Sequence, residues 1–164
     1  MVRTGIGYDS HCLVTERRLV LGGVEIPHSH GLLGHSDADV LIHAICDALL
    51  GAIAEGDIGQ HFPDRDPQWK DADSTQLLRA VVELVHKKCW EIAHVDASVI
   101  AEAPKLQPYI PAMRARLCQI LDVSIDRISV KAKSNEGMDA VGRREGISCM
   151  AVATVARHSQ QNEF

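Results

Sequence analysis

The segment GIGYDSHC, residues 5–12, places a carboxylate, Asp9, two positions before an imidazole, His11. In an extended chain, side chains two apart share a face, so these two groups are neighbours. A half-buried strand normally keeps such a face apolar. The pair therefore signals a metal site, a hydrogen-bonded couple or a solvated strand edge. His43 falls within DADVLIHAICDALLGAIAEG, on a helical face shared with Asp39 and Asp47 at i−4 and i+4. For a helix alone this is an exposed polar stripe opposite the core. Together with Asp9 and His11 it makes a set of three nitrogen and oxygen donors. Such a set suits zinc and leaves a fourth position open for water or substrate. Asp39 and Asp47 are then the candidates to hold the other nitrogen of the His43 ring.

Other stretches carry chemistry-bearing residue types with a plainer explanation beside them. HSDAD, with His35, Ser36 and Asp37, contains the residue types of a hydrolase triad. Adjacent turn residues rarely meet with triad geometry, and no nucleophile elbow surrounds them, so Ser36 reads as a helix cap. GIGYDS opens like a dinucleotide loop but lacks the third glycine and the helix, and no Walker-type GKS or GKT occurs. Asp57, Asp64 and Asp66 fit a solvated, turn-rich loop, or carboxylates that accept hydrogen bonds from substrate hydroxyls. Ser134 and Glu136, in KAKSNEG, are co-facial if extended. They are a polar hairpin tip, or a phosphate contact (Ser134) beside a ligand for a hard divalent ion (Glu136).

The elements that must position these residues follow from hydrophobic periodicity. A strand is predicted over Val2–Tyr8, and two short extended pieces flank the Gly22-Gly23 turn signal. HSHGLLGHS reads as a loop. The first helix carries Val40, Leu41, Ile45, Ala48, Leu49 and Ile53 at helical spacing, opened by a Ser36/Asp39 capping box and closed by Gly56. A long polar loop, DIGQHFPDRDPQWKDAD, leads to a second helix capped by Ser74. AHVDASVIAE is a strand, AMRARLCQIL a third helix, and RISVKAKS and ISCMAVATVAR are strands. The fold class is α/β (α+β), a small mixed, mostly antiparallel sheet with helices on one face and the other face free for solvent or an oligomer. A single domain spans 1–157, with a frayed tail at 158–164.

Bulk properties narrow the function classes. The chain has 164 residues, 46% hydrophobic and 24% charged, as in a soluble globular protein with a real core. No apolar run approaches a membrane span and no charged-then-apolar leader opens the chain, so a cytoplasmic, non-membrane protein is expected. A plastid-type stroma would fit if a transit peptide had been removed. The net charge of −5 supplies no basic stripe for nucleic acid. Five scattered cysteines without a C-x-x-C argue against a disulfide framework and a thiolate zinc site.

In this order, GIGYDSH, LGGVEIP, GLLGHSDADVLIHAICDALLGA, GDIGQHFPD, AEAPKLQPYIPAM, VKAKSNE and GRREGI resemble the 2-C-methyl-D-erythritol 2,4-cyclodiphosphate synthases, from about Gly5 to Ala153. That resemblance implies an enzyme of the non-mevalonate pathway, a metal-dependent phosphorus-oxygen lyase. Its reaction cyclises 4-diphosphocytidyl-2-C-methyl-D-erythritol 2-phosphate with release of CMP. It implies zinc on Asp9, His11 and His43, and a second divalent ion, Mg²⁺ or Mn²⁺, on Glu136 and the substrate diphosphate. His35 and Ser134 would support the transition state, Ser134 standing where threonine is more usual. Asp57, Gly59 and the run Phe62, Pro63, Asp64 to Asp66 would surround the erythritol phosphate. Ala101, Ala103, Pro104, Lys105 and Leu106 would belong to the cytidine loop, with Ala132, Lys133 and Arg143 as further substrate contacts. The resemblance further implies a homotrimer whose active sites lie between subunits. Lys133 and Asn135 stand where threonines are common. Ala140 and Arg144 replace a common aromatic and a common glycine, which puts in doubt a ligand on the trimer axis. The rivals are a zinc-dependent hydrolase of nucleotide diphosphates and a non-catalytic metal-binding scaffold.

Overall fold

A computed structural model describes residues 1–63, 65–69 and 71–157. Asp64 and the tail at 158–164 lie outside the described residues. The first strand, β1 (Val2–Thr15), runs well past Tyr8. Its length comes from its partners. It pairs antiparallel with β7 (Gly146–Ala156), from Val2 opposite Ala156 to Cys12 opposite Gly146, and then with β4 (His30–Leu32). HSHGLLGHS is thus not all loop, because β4 lies within it. β2 (Leu19–Leu21) and β3 (Val24–Ile26) form a hairpin around Gly22 and Gly23, at φ +61° and +70°. Two successive positive φ values are what such a turn requires, and glycine adopts them freely.

The main sheet has the order β4-β1-β7-β5-β6. Among the described residues only β5 (Glu91–Ile100) and β6 (Ile128–Lys133) pair in parallel, with α4 (Ile110–Leu121) in the connection between them. The α1 helix (Val40–Ala52) lies on β1 and β7, and α3 (Ser74–Lys87) packs on α1. Three sequence expectations change here. First, α1 is buried on nearly every side, including Asp39 at 0% exposure, so its polar positions are not a solvated stripe. Second, its cap is Asp39, whose side chain accepts from Ile42 N, and the helix ends before Gly56. Third, α3 is capped by Asp73 rather than by Ser74, which turns its hydroxyl inward. The long polar loop also winds up, into α2 (Ile58–His61) and a 3₁₀ turn at Pro67–Trp69. A last single turn, α5 (Asp139–Gly142), precedes β7.

Alternation in β1 sorts its side chains. Gly5, Gly7, Asp9 and His11 face α1, while Val2, Ile6 and Tyr8 face away and are exposed. Met150 and Val152, opposite Tyr8 and Ile6 on β7, extend the exposed apolar face. Among the described residues no helix is long and apolar enough to cross a membrane.

Candidate active site

The GIG opening explains how strand and helix come close. A Cβ on Gly7 would lie 1.9 Å from the Ala44 carbonyl oxygen, and one on Gly5 would lie 2.1 Å from that of Ala48. Only hydrogen fits at either position, so α1 rests directly on the β1 backbone. The next two inward positions, Asp9 and His11, then meet the first turns of α1, where His43 projects. Asp9 Oδ2 lies 2.9 Å from His11 Nε2 and 3.0 Å from His43 Nδ1, and the two nitrogens are 3.2 Å apart. Ligands at zinc distances in tetrahedral geometry are separated by about 3.3 Å, so this triangle has the size of a metal site. It is the one cluster of three or more such donors among the described residues.

Electrostatics fits the same use. Burial works to raise the Asp9 carboxyl, but hydrogen bonds and charge from His11 and His43 hold it well below the usual carboxylate range. For His11, burial works to lower the imidazole, and the Asp9 hydrogen bond and charge outweigh it, so the ring holds its proton to higher pH. Both shifts have one cause, the close approach of the Asp9 carboxylate to imidazole nitrogen. His11 Nδ1 donates to the Leu33 carbonyl at 2.9 Å, which fixes the ring and leaves Nε2 as the ligand atom.

The triangle floors a cavity of about 280 Å³ walled by His35, Gly59, Phe62, Trp69 and Leu77. Phe62 and Trp69 meet edge-on with centroids 5.0 Å apart. His35 Nε2 is buried and has no hydrogen-bond partner among the described residues, which suits an atom that serves a ligand.

A model of the YgbB family matches residues 2–156. This chain belongs to the YgbB family. It is 56% identical over 154 residues to the 2-C-methyl-D-erythritol 2,4-cyclodiphosphate synthase of Syntrophus aciditrophicus, covering 94% of this chain and 97% of that one. The bifunctional IspDF of Campylobacter jejuni superposes with a TM-score of 0.93 at 37% identity, over 97% of this chain. This chain spans 43% of that longer protein. IspF of Plasmodium falciparum, solved as a CDP complex, gives a TM-score of 0.85 at 34% identity, with 96% of this chain and 97% of that one covered.

In this YgbB-family chain the remaining site candidates fall into three groups. Gly59 and Phe62 join the metal cavity, whereas Pro63 and Asp66 do not line it. Asp57 caps α2, accepting from Gln60 N at 3.0 Å, and Asp66 accepts from Gln68 N at 3.0 Å. A second group gathers elsewhere. Ala101 N donates to the Lys133 carbonyl, and the Glu102 carboxylate accepts from Asn135 N and Gly137 N. This ties the segment of Ala101, Ala103, Pro104, Lys105 and Leu106 to that of Ala132, Lys133, Ser134 and Glu136. Ser134 Oγ donates to Glu136 Oε1 at 2.8 Å, and neither residue lines the metal cavity. Arg143 stands apart, paired with Glu145 at 2.7 Å.

The partners expected for His43 are corrected. Asp39 accepts instead from Gly22 N and Gly23 N, at 2.9 and 2.7 Å, which clamps the β2–β3 turn to α1. Asp47 accepts from Ile58 N at 2.7 Å. The outer nitrogen of His43 meets Ser74 Oγ at 2.9 Å and Ser36 Oγ at 3.2 Å. Ser36 is therefore a site residue rather than the cap of α1. Sequence reasoning missed Ser74 and Trp69, because helix and loop patterns place them only along their own segments.

Proposed function

We propose that the Asp9–His11–His43 site carries out the cyclisation named for this chain's relatives. The substrate is 4-diphosphocytidyl-2-C-methyl-D-erythritol 2-phosphate, the product is the 2,4-cyclodiphosphate, and CMP leaves. The observation that carries this reading is the three-donor triangle at the floor of a cavity, in a chain matching the synthases over nearly its whole length. The donor set fits Zn²⁺, and Glu136 is assigned to a second ion, Mg²⁺ or Mn²⁺.

An oxygen of the 2-phosphate forms a bond to the outer phosphorus of the diphosphate. The bond from that phosphorus to the CMP oxygen breaks. The nucleophile is an anion already, so no strong base is needed, and the site has to hold like-charged groups in line. When bound, the divalent ions supply Lewis acidity and a template for the phosphate oxygens. The chain's own residues do the rest. His35, with its unpartnered Nε2 in the cavity wall, and the Ser134 hydroxyl are assigned to the oxygens on which charge develops. Phe62, Trp69 and Leu77 keep the wall apolar, which disfavours water as a competing nucleophile. Asp57, Gly59, Phe62, Pro63, Asp64 and Asp66 are assigned to the erythritol phosphate, and the segment from Ala101 to Leu106 to the cytidine, with Ala132, Lys133 and Arg143 as further contacts.

The nucleotide segment and Ser134 do not line the metal cavity of their own chain. The exposed apolar face at Val2, Ile6, Tyr8, Met150 and Val152 requires cover. Both observations support a homotrimer in which one subunit's metal half faces the next subunit's nucleotide half. Each subunit is read as one domain over 1–157. The five free cysteines suit a reducing compartment, the cytoplasm or a plastid stroma. The reaction is tested by giving purified protein the cytidyl substrate with Mg²⁺ and following phosphorus NMR. Equal amounts of CMP and a cyclic diphosphate are expected. An opened diphosphate would instead establish a hydrolase, and no turnover would leave a metal-binding scaffold.

A further inference from the structure

His43 turns Nδ1 toward the ligand triangle, so it serves as a ligand only when its neutral ring carries the proton on Nε2. Nε2 lies 2.9 Å from Ser74 Oγ. Ser74 has a single hydroxyl proton, and Asp37 Oδ1 accepts it. The other Asp37 oxygen accepts from Ser74 N at 3.1 Å. A carboxylate only accepts, so the serine presents lone pairs to the imidazole, and Nε2 must be the donor. Asp9 pulls the other way, since Oδ2 lies 3.0 Å from Nδ1 and would take a proton there. Ser36 does not decide between the two. Its oxygen accepts from Ala38 N at 3.2 Å, and its own proton is free to face the ring or Ser74.

We infer that Asp37 and Ser74 are a positioning pair that holds His43 in its Nε2–H tautomer and so keeps Nδ1 open as a metal ligand. The inference rests on the metal reading of the Asp9–His11–His43 triangle. Neither residue lines the metal cavity, and Ser74 is fully buried, so the pair acts through the imidazole. Their placement also gives the ligand a second anchor. Ser74 begins α3, and Asp37 N donates to the Ala72 carbonyl just before it, at 3.1 Å. The orientation of His43, on α1, is thus set by the start of the neighbouring helix.

The test uses full-length metal-free protein labelled with ¹⁵N at histidine, at a pH where imidazole is neutral, followed by zinc titration against a competing chelator. The ring-nitrogen shifts report the tautomer directly. In the wild type Nε2–H should dominate for His43. Ser74→Ala should lower that fraction and weaken zinc binding about 10- to 100-fold. Asp37→Ala removes the acceptor of the serine proton and frees that proton for Nε2. It should shift the ring toward Nδ1–H and weaken zinc in the same direction. A merely structural role would lower thermal stability and leave both readouts where they were. Unchanged tautomer and zinc affinity in the two variants would overturn the pair while the metal site stands. A wild type that takes up zinc no better than His43→Ala would overturn the metal site and the pair together.

Discussion

Removing the His43 imidazole takes one corner from the ligand triangle and leaves Asp9 and His11 still paired at 2.9 Å. His43→Ala should therefore stay folded, lose bound zinc and abolish cyclisation. Metal analysis of the purified variant checks this, and full zinc occupancy would contradict the ligand assignment. The pH dependence follows from the same contacts. The Asp9 carboxylate outweighs burial and raises the His11 imidazole, so zinc must displace a proton from it to higher pH than from a free imidazole, and affinity should increase with pH. Calorimetric titration in buffers of different ionisation enthalpy should count the released proton. In metal-free protein the signs separate. The depressed Asp9 carboxyl contributes stability above its unfolded value, about 3.9, and loses it in stronger acid. The raised His11 contributes fully below its unfolded value, about 6.5, and loses it as pH climbs through the folded one. Chelator-treated protein should thus gain most from this pair between about pH 4 and 6.5. Ser134 sits elsewhere and makes a different prediction. A hydroxyl aimed at developing phosphate charge acts mainly in the transition state, so Ser134→Ala should lower kcat about 10²-fold with little change in KM. An unchanged kcat would remove Ser134 from that role.

At the scale of elements, two glycines on β1 let the ligands come together, and Asp39 at the head of α1 clamps the β2–β3 turn. Gly7→Ala would drive a methyl group into the Ala44 carbonyl, one residue from His43. A loss of about 3 kcal/mol in denaturant unfolding is expected, with weakened zinc binding as α1 shifts off β1. Asp39→Ala would strand the N–H groups of Ile42, Gly22 and Gly23 together, for about 2–4 kcal/mol. These roles show what was legible in the sequence. Strand periodicity put Asp9 and His11 on one face, and the helical pattern around His43 was unmistakable, because both depend on neighbours along the chain. The two glycines looked like a broken nucleotide loop, since the helix they admit begins far downstream. Ser36 and Ser74 both looked like caps, because serine before a helix usually is one. Asp39 and Asp73 took the caps, and both serine oxygens came within reach of His43 Nε2 instead. Contacts of that kind arise only when α3 docks on α1, and no local pattern encodes them.

At the scale of the whole molecule, the two proposed parts of the site occupy different places on the chain. The cavity over the Asp9–His11–His43 triangle lies between β1, α1 and the loop before α3, while the segment proposed for the cytidine is tied to the end of β6. The outward side chains of β1 and β7 form the apolar face that a ring of three subunits would cover. Head-to-tail contacts close such a ring with a single kind of interface. The central claim is that catalysis needs the metal half of one subunit beside the nucleotide half of the next. The most direct measurement uses two inactive variants, His43→Ala and a chain whose Ala103–Leu106 segment is disrupted. The two are unfolded, mixed in equal amounts and refolded together. Random assembly gives about one quarter of composite sites with both halves intact, so about one quarter of wild-type CMP release should return. Mixed trimers that form and remain inactive would contradict the account.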